Sequence, residues 1–377
     1  MKNIALLLPD FDEGGMPVVA SNLIKELRKY VNIDLIFIKS NRPIRYCTYK
    51  SDIYQLEDES EIKVVRYLRK ISTVHKLRRI RKRESYDVIL SYGILAGFLN
   101  ILTSSRNSAA ICTLHSVESI ENKQLGISGK IFNWFLKFIF PFASKVVAIS
   151  QGIQTDLEKT YGLTNVVTIY NPYIFEKDKH DVASNRQMLN DLISFVTVSR
   201  LENSKRVDRI INALATLIGE GFDVELWILG DGSQKFNLSE LSENLGLSSK
   251  VHFLGYVDNP QEIIKKCDYF VLASENEGFG NVLIESLMVN TPIITQDIFS
   301  GPREIFENLE SVNYDEPLEH NINVYENGIL CKHILAGMRY VCVEHRIFDI
   351  NTTKLERILS SDEIAMTYFS LIKHVET

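Results

Sequence analysis

The stretch Tyr269-Phe270-Val271-Leu272-Ala273-Ser274-Glu275-Asn276-Glu277-Gly278-Phe279-Gly280-Asn281-Val282-Leu283-Ile284-Glu285 runs from a short apolar segment, through a polar turn with two glycines, into residues of helical period. A bounded apolar run followed by a helical pattern is one βα unit of a parallel sheet. The unit recurs on either side. Strands at 193–198, 224–229, 251–253 and 292–295 alternate with helices near 207–218, 238–245, 260–266 and 281–289. The N-terminal half repeats the scheme, with strands at 3–8, 33–38, 87–91, 109–114, 145–149 and 166–169 and helices near 17–30, 62–81 and 152–161. Residues 176–190 are polar, lack a periodic apolar face and follow an Asn171-Pro172 turn, which makes them the linker. At 377 residues the chain exceeds one core of roughly 100–150 residues. The class is α/β, with two doubly wound domains.

The formal charge is −6, which argues against a nucleic-acid binder, but the average hides an asymmetry. Between Lys63 and Arg83 stand ten Lys/Arg and no carboxylate, so the rest of the chain carries −16 against a local +10. Five cysteines form no C-x-x-C pair, and four lie in apolar or strand-like runs, where a small buried thiol is the ordinary reading. Only five apolar residues precede Pro9, too few for a signal peptide, and no window approaches the roughly 18 apolar residues of a membrane span.

In open α/β sheets ligands bind beyond the carboxyl ends of the strands. Four loops there matter. Residues 8–17 end in Gly14-Gly15 and open into a helix, an arrangement that lets backbone amides approach an anion or a sugar; a plain tight turn fits as well. Ser199-Arg200-Leu201-Glu202-Asn203-Ser204-Lys205-Arg206 brackets a strand end with a guanidinium and an ammonium suited to a diphosphate, against the alternative of a solvated basic turn. Gly230-Asp231-Gly232-Ser233 repeats the glycine pattern one βα unit later. In the opening stretch, Glu277 stands at the loop mouth and Glu285 in the first turn of the helix, whose N-terminal amides can face an anion. Paired carboxylates beside a phosphate repel it unless they bind hydroxyls. The ligand that reconciles them carries both, as a nucleotide sugar does.

In order along the chain these motifs resemble the retaining glycosyltransferases of family 4, with the GT-B fold of two facing Rossmann-like domains and an interdomain cleft. The resemblance rests on Gly14-Gly15, His115 after Thr113-Leu114, Val147-Ala148-Ile149-Ser150 and Ile169-Tyr170-Asn171-Pro172 in the first half. It continues through Ser199-Arg200-Leu201 with Lys205, Gly230-Asp231-Gly232, Phe253-Leu254-Gly255-Tyr256, Glu277-x7-Glu285, Ser300-Gly301-Pro302-Arg303-Glu304-Ile305 and Asn327-Gly328-Ile329-Leu330. It implies an acceptor domain at 1–178, a nucleotide-sugar domain at 179–360 and a terminal helix at 361–377 that packs back on the first domain. By residue it implies that Arg200 and Lys205 neutralise the donor diphosphate, with Gly15 beneath it and the amides of Asn281, Val282 and Leu283 facing it. Glu285 would bind the ribose, Glu277, Phe279 and Gly280 the transferred sugar, and His115 the sugar near its reacting face, with His115 and Glu277 as the catalytic pair. The chain departs from many members in having Lys205-Arg206 for Lys-Gly, and Ser233 and Lys235 for Pro and Arg. Ser-Gly-Pro-Arg-Glu-Ile is similar to the subset that builds bacterial surface polysaccharides, where UDP-hexoses and UDP-N-acetylhexosamines are common donors. The expected chemistry is retaining transfer to an α linkage, with the UDP leaving group held by Arg200, Lys205 and helix amides, no metal and no cofactor.

The acceptor side is read from two patches. Lys63, Arg66, Arg69, Lys70, Arg78, Arg79, Arg81, Lys82 and Arg83 surround an apolar stripe on one helix, and residues 131–142 hold six aromatics including Trp134 and Phe135. Together they suggest a peripheral enzyme on the inner face of the cytoplasmic membrane, facing anionic lipid and using a polyprenyl diphosphate glycan as acceptor. The alternatives are a soluble acceptor, a basic helix that only covers the core, and a non-catalytic GT-B scaffold that binds a partner through its basic helix.

Overall fold

The computed structural model describes residues 1–9, 15–39, 53–56, 63–175, 192–318 and 320–375. The linker expected at 176–190, Cys47 and Gly14 lie outside them. The chain forms two compact units, 1–174 with 356–377, and 175–355. These divisions fall four and five residues before the boundaries at 178 and 360 read from sequence.

The first unit holds β1 (Asn3–Leu8), β2 (Asn32–Phe37), β3 (Ile53–Gln55), β4 (Val88–Tyr92), β5 (Ala109–Leu114), β6 (Lys145–Ala148) and β7 (Val166–Thr168). Its helices are α1 (Gly15–Leu27), α2 (Lys63–Arg83), α3 (Ile94–Thr103), α4 (Glu118–Gln124), α5 (Gly126–Phe138) and α6 (Gln151–Tyr161). The sheet is parallel throughout, in the order β3-β2-β1-β4-β5-β6-β7. β1 shows why the apolar run is continuous. Ile4, Leu6 and Leu8 enter the core on one face while Ala5 and Leu7 enter the core on the other, so every position is buried under helices.

The second unit comprises β8 (Ile193–Val198), α7 (Val207–Gly219), β9 (Val224–Leu229), α8 (Lys235–Asn244), β10 (Val251–Gly255), α9 (Gln261–Ile264), β11 (Tyr269–Leu272), α10 (Asn281–Met288), β12 (Ile293–Gln296) and α11 (Gly301–Phe306). A β13 (Ile322–Tyr325) and β14 (Gly328–Cys331) hairpin and α12 (Ile334–Glu344) follow. The order is β10-β9-β8-β11-β12-β14-β13, parallel except for the hairpin. Both sheets therefore begin with the same 3-2-1-4-5 arrangement of a doubly wound fold. α13 (Thr353–Leu359) spans the division, and α14 (Ser361–His374) packs on α1. Ile364, Ala365, Tyr368 and Ile372 of α14 complete the core around β1, and Lys2 Nζ donates to the Ile372 carbonyl at 3.1 Å.

Candidate functional site

In the second unit the strand order reverses between β8 and β11, which pair in parallel with β9 and β12 lying outward on either side. The loops leaving the carboxyl ends of β8 and β11 start side by side, at the position where open α/β sheets bind ligands. The first carries Arg200 and Lys205, the second Glu277. Glu275 N donates to the Ser204 carbonyl at 2.9 Å and ties the two loops together. Lys205 Nζ donates to Glu277 Oε1 at 2.7 Å, and Ser274 Oγ donates to the same oxygen at 2.6 Å. Both charged side chains are largely covered, at 17% and 14% exposure. Arg200, by contrast, is exposed and forms no ion pair among the described residues.

Arg206 occupies a left-handed backbone, φ 50°, where a residue without Cβ fits best. Its guanidinium holds both carboxylate oxygens of Asp208, at 3.0 and 2.8 Å, and reaches Glu275 at 2.6 Å. That ion-pair cluster offsets the backbone cost and accounts for an arginine at this turn.

Glycine at the third loop serves packing. A Cβ on Gly230 would lie 1.9 Å from the Ser199 carbonyl oxygen, and Leu201 N donates to the Asp231 carbonyl at 2.9 Å. The Gly-Asp-Gly turn thus braces the loop that displays Arg200, while Lys235 pairs with Asp231 at 2.8 Å. A comparable close approach fixes the fourth loop. A Cβ on Gly301 would meet the Phe279 carbonyl oxygen at 2.1 Å, and Ser300 Oγ donates to the Gly278 carbonyl.

α10 begins at Asn281 with Gly280 as its N-cap, φ 86°, so Glu285 opens the second turn and does not sit in the first. Glu285 is half-buried, has no hydrogen-bond partner among the described residues, and burial pushes its carboxyl above the ordinary range. Such a carboxylate calls for donors that a bound ligand can bring. The Leu283 amide is not open to an anion as expected from sequence, because it donates to the Gly280 carbonyl at 2.9 Å in the tight first turn. The Phe279 side chain is buried, so only its backbone lies in the loop. Two groups here escaped the sequence reading. Ser199 Oγ and Asn276 Oδ1 are buried without partners among the described residues, and their only signal was position, one at the β8 end and one between two glutamates.

In the first unit His115 follows β5 and stacks on Tyr92 of the adjoining β4, ring centroids 5.0 Å apart. Its Nε2 is buried without a partner among the described residues, and desolvation pushes its pKa down to about 4, so the ring is neutral at pH 7. Three residues on, Glu118 is buried, with Ser116 Oγ donating to it at 3.1 Å. Burial, with Glu121 nearby, pushes its carboxyl up to about 8. Gly15 is the first residue of α1.

The acceptor-side residues divide. The side chains of Lys63, Arg66, Arg69 and Lys70 lie outside the described residues, whereas Arg78, Arg79, Lys82 and Arg83 are exposed. Arg81 is a correction to the cationic surface. It is buried, with Nη1 donating to the Ser108 carbonyl at 3.0 Å and Nη2 to Asn100, and desolvation lowers its pKa to about 10. Phe135 is half-buried and stacks on Phe98 at 4.0 Å, while Trp134 beside it stays exposed. No helix among the described residues is long and apolar enough to cross a membrane.

Residues 13–176 match the model of Glycosyltransferase Family 4, and residues 183–324 match Glycosyl transferases group 1. The chain is 27% identical to the N-acetylgalactosamine-N,N'-diacetylbacillosaminyl-diphospho-undecaprenol 4-alpha-N-acetylgalactosaminyltransferase of Campylobacter jejuni, over 81% of this chain and 84% of that one. It is 26% identical to the lipopolysaccharide 1,6-galactosyltransferase of Salmonella typhimurium, over 78% and 79%. Among solved structures it is similar to the lipopolysaccharide outer core galactosyltransferase WaaB in its apo form, TM-score 0.73 at 19% identity, covering 98% and 99% of the two chains. It is also similar to Anabaena Alr3699/HepE in complex with UDP, TM-score 0.66 at 19% identity, covering 100% and 97%.

Proposed function

The chain belongs to the glycosyltransferases that join a family 4 N-terminal region to a group 1 C-terminal region in the GT-B fold, and from that premise we propose a retaining transferase. It moves a hexose or N-acetylhexosamine from a UDP-sugar to a lipid-linked, polyprenyl diphosphate glycan, forming an α linkage in bacterial surface polysaccharide synthesis. One observation carries the donor side. Lys205 and Glu277 meet at the β8/β11 switch point, on loops that also bring an exposed guanidinium and a half-buried carboxylate without a donor. Two cations and two carboxylates so placed suit a ligand that is anionic at one end and rich in hydroxyls at the other.

Arg200 and Lys205 take the charge that grows on the β-phosphate as the sugar–phosphate bond breaks, in place of a divalent metal. Stabilising such a leaving group electrostatically is the strongest means of catalysis open to these side chains. Glu285 accepts from the ribose hydroxyls and Glu277 from a hydroxyl of the transferred sugar. The acceptor oxygen attacks the anomeric carbon from the face that UDP leaves, and its proton passes to the departing β-phosphate oxygen. In the first unit the neutral His115 offers Nε2 to a sugar hydroxyl as a hydrogen-bonding group without charge. The UDP complex of the Anabaena protein and the diphospho-undecaprenol acceptor in the name of the Campylobacter relative support donor and acceptor class. The same acceptor class implies peripheral attachment to anionic lipid. A soluble acceptor is the second reading, favoured by a 25% identical relative named N-acetyl-alpha-D-glucosaminyl L-malate synthase, which this chain matches over 78% of its length.

The test is UDP release with a panel of UDP- and GDP-sugars, with and without chelator, using lipid-linked and soluble acceptors. Turnover by a UDP-sugar on a lipid-linked glycan with unchanged product stereochemistry is expected. Transfer only from GDP-sugars, loss of activity in chelator, or inversion at the anomeric carbon would each overturn a stated part.

A further inference from the structure

α5 is amphipathic the wrong way round for a helix that only covers a core. Gly129 and Leu136 are buried and Phe135 packs on α3, but the opposite face exposes Ile127 at 78%, Ile131 at 49%, Trp134 at 51% and Phe138 at 51%. At 100° per residue these four positions fall within an arc of roughly 60°. The short 3-10 turn that follows, Phe140–Phe142, ends with Phe142 exposed at 76% on the same segment. Lys130 and Lys137, both exposed, stand seven positions apart along one margin of that arc. No Asp or Glu occurs between Glu121 and Asp156.

We propose that this face of α5, with Phe142, is the element that enters an anionic lipid bilayer, lying in the interface with Lys130 and Lys137 reaching the headgroups. The inference rests on the membrane-held acceptor proposed above and places the contact on α5, away from the basic helix α2. Three features select lipid as the occupant. The exposed apolar arc is rimmed by cations with no acidic residue in its own segment, as anionic headgroups require. A Trp at the edge of the arc, beside aliphatic lysine stems on the same margin, suits the water–lipid boundary. A two-fold contact with a second copy through this face would bring the same lysines together, with no carboxylate on the segment to offset them. α2 is the poorer candidate, because Arg81 is buried, Arg78 donates to the Leu102 carbonyl at 2.9 Å and Lys76 to the Leu56 carbonyl at 2.9 Å.

The full chain is mixed with vesicles of phosphatidylcholine alone or with phosphatidylglycerol, some carrying brominated acyl chains. Flotation with the anionic vesicles is expected, with quenching of Trp fluorescence by brominated lipid that Trp134→Phe removes. Ile131→Glu with Phe138→Glu is expected to abolish flotation, and Lys130→Ala with Lys137→Ala to weaken it about 25-fold, at about 1 kcal/mol per lysine. Flotation that survives the glutamate pair but is lost on neutralising Arg78, Arg79 and Lys82 would return the contact to α2 and overturn the proposal. Concentration-dependent dimerisation abolished by the same glutamate pair, without lipid binding, would give the face to a second copy. UDP-induced thermal stabilisation of the glutamate variant separates the two ideas: if it persists while vesicle binding never occurs, the lipid face fails and the donor site stands.

Discussion

Replacing Lys205 by Met keeps most of the aliphatic stem and removes the charge, which makes it the sharpest probe of the donor site. In the free protein the ammonium donates to Glu277 Oε1 at 2.7 Å, and both side chains are more than four-fifths covered. Its loss leaves Glu277 with Ser274 Oγ, at 2.6 Å, as its donor among the described residues, so a mostly covered carboxylate loses one charged donor. That costs about 1–3 kcal/mol of folding stability. In the proposed mechanism the same ammonium faces the leaving diphosphate, and on that proposal losing it should lower kcat/KM by about 100- to 1000-fold, or about 3–4 kcal/mol. The two effects separate by experiment. Thermal unfolding with and without saturating UDP reports the stability loss and the ligand-linked stabilisation independently, and single-turnover UDP release reports chemistry. K205M is expected to melt lower and to lose most of its UDP-induced shift. A variant that melts lower yet keeps the full UDP shift, with kcat/KM within threefold of the parent, would show that Lys205 is only a structural partner of Glu277.

Two buried groups give opposite pH slopes. His115, pushed down to about 4, stabilises the fold above its unfolded value of about 6.5, and this is lost as pH falls toward 4; H115Q should lose about 2–3 kcal/mol less between pH 7 and pH 4.5 in urea titrations. Glu118, pushed up to about 8, is protonated in the fold but ionised when unfolded above about 4.3, so its contribution falls as pH rises through 8. E118Q should therefore be the more stable protein at pH 8, by about 4–5 kcal/mol, with a flatter profile from pH 4.5 to 8. Arg206→Gly exchanges a left-handed backbone cost of about 1–2 kcal/mol for partly exposed ion pairs worth about 0–1 kcal/mol each, and is expected to leave melting and turnover near the parent values. Gly301→Ala places a methyl 2.1 Å from the Phe279 carbonyl oxygen and should displace the 277–280 loop, lowering both stability and UDP affinity in calorimetric titration.

The parallel strands were legible because both faces of each sheet are covered, which turns a strand into an uninterrupted apolar run; β1, β5, β8, β9 and β11 begin and end where the sequence places them. β3 was not, since Ile53-Tyr54-Gln55 is three residues long at a sheet edge, with half of its pattern supplied by β2. The β13–β14 hairpin reads in sequence as a motif at 327–330 and not as strands, because its first strand is only partly buried. At the site, loop positions followed from strand ends, but spacing could not show that Lys205 and Glu277, 72 positions apart, would meet. Nor could a charge count distinguish Arg81 from its neighbours. One turn of α2 turns inward onto the Asn100 side chain and the Ser108 carbonyl, and solvation is a property of the fold that composition does not carry. The run at 131–142 hid two opposite faces for the same reason, Leu136 and Phe140 inward, Trp134 and Phe138 outward.

The return of α14 to the first unit fixes an order of events on the ribosome. Tyr30 stacks on Phe369 at 5.0 Å and Lys29 pairs with Asp362 at 3.0 Å, so the seam beside α1 is closed by residues synthesised more than three hundred positions later. Residues 175–355 form a unit from their own stretch alone. The middle of the polypeptide can therefore mature before its beginning, and at about 5–20 residues per second the open seam of the first unit waits roughly 10–40 s for its last helix. During that interval its apolar wall is a natural client surface for a holdase, and a nonsense mutation near residue 355 would leave it permanently uncovered.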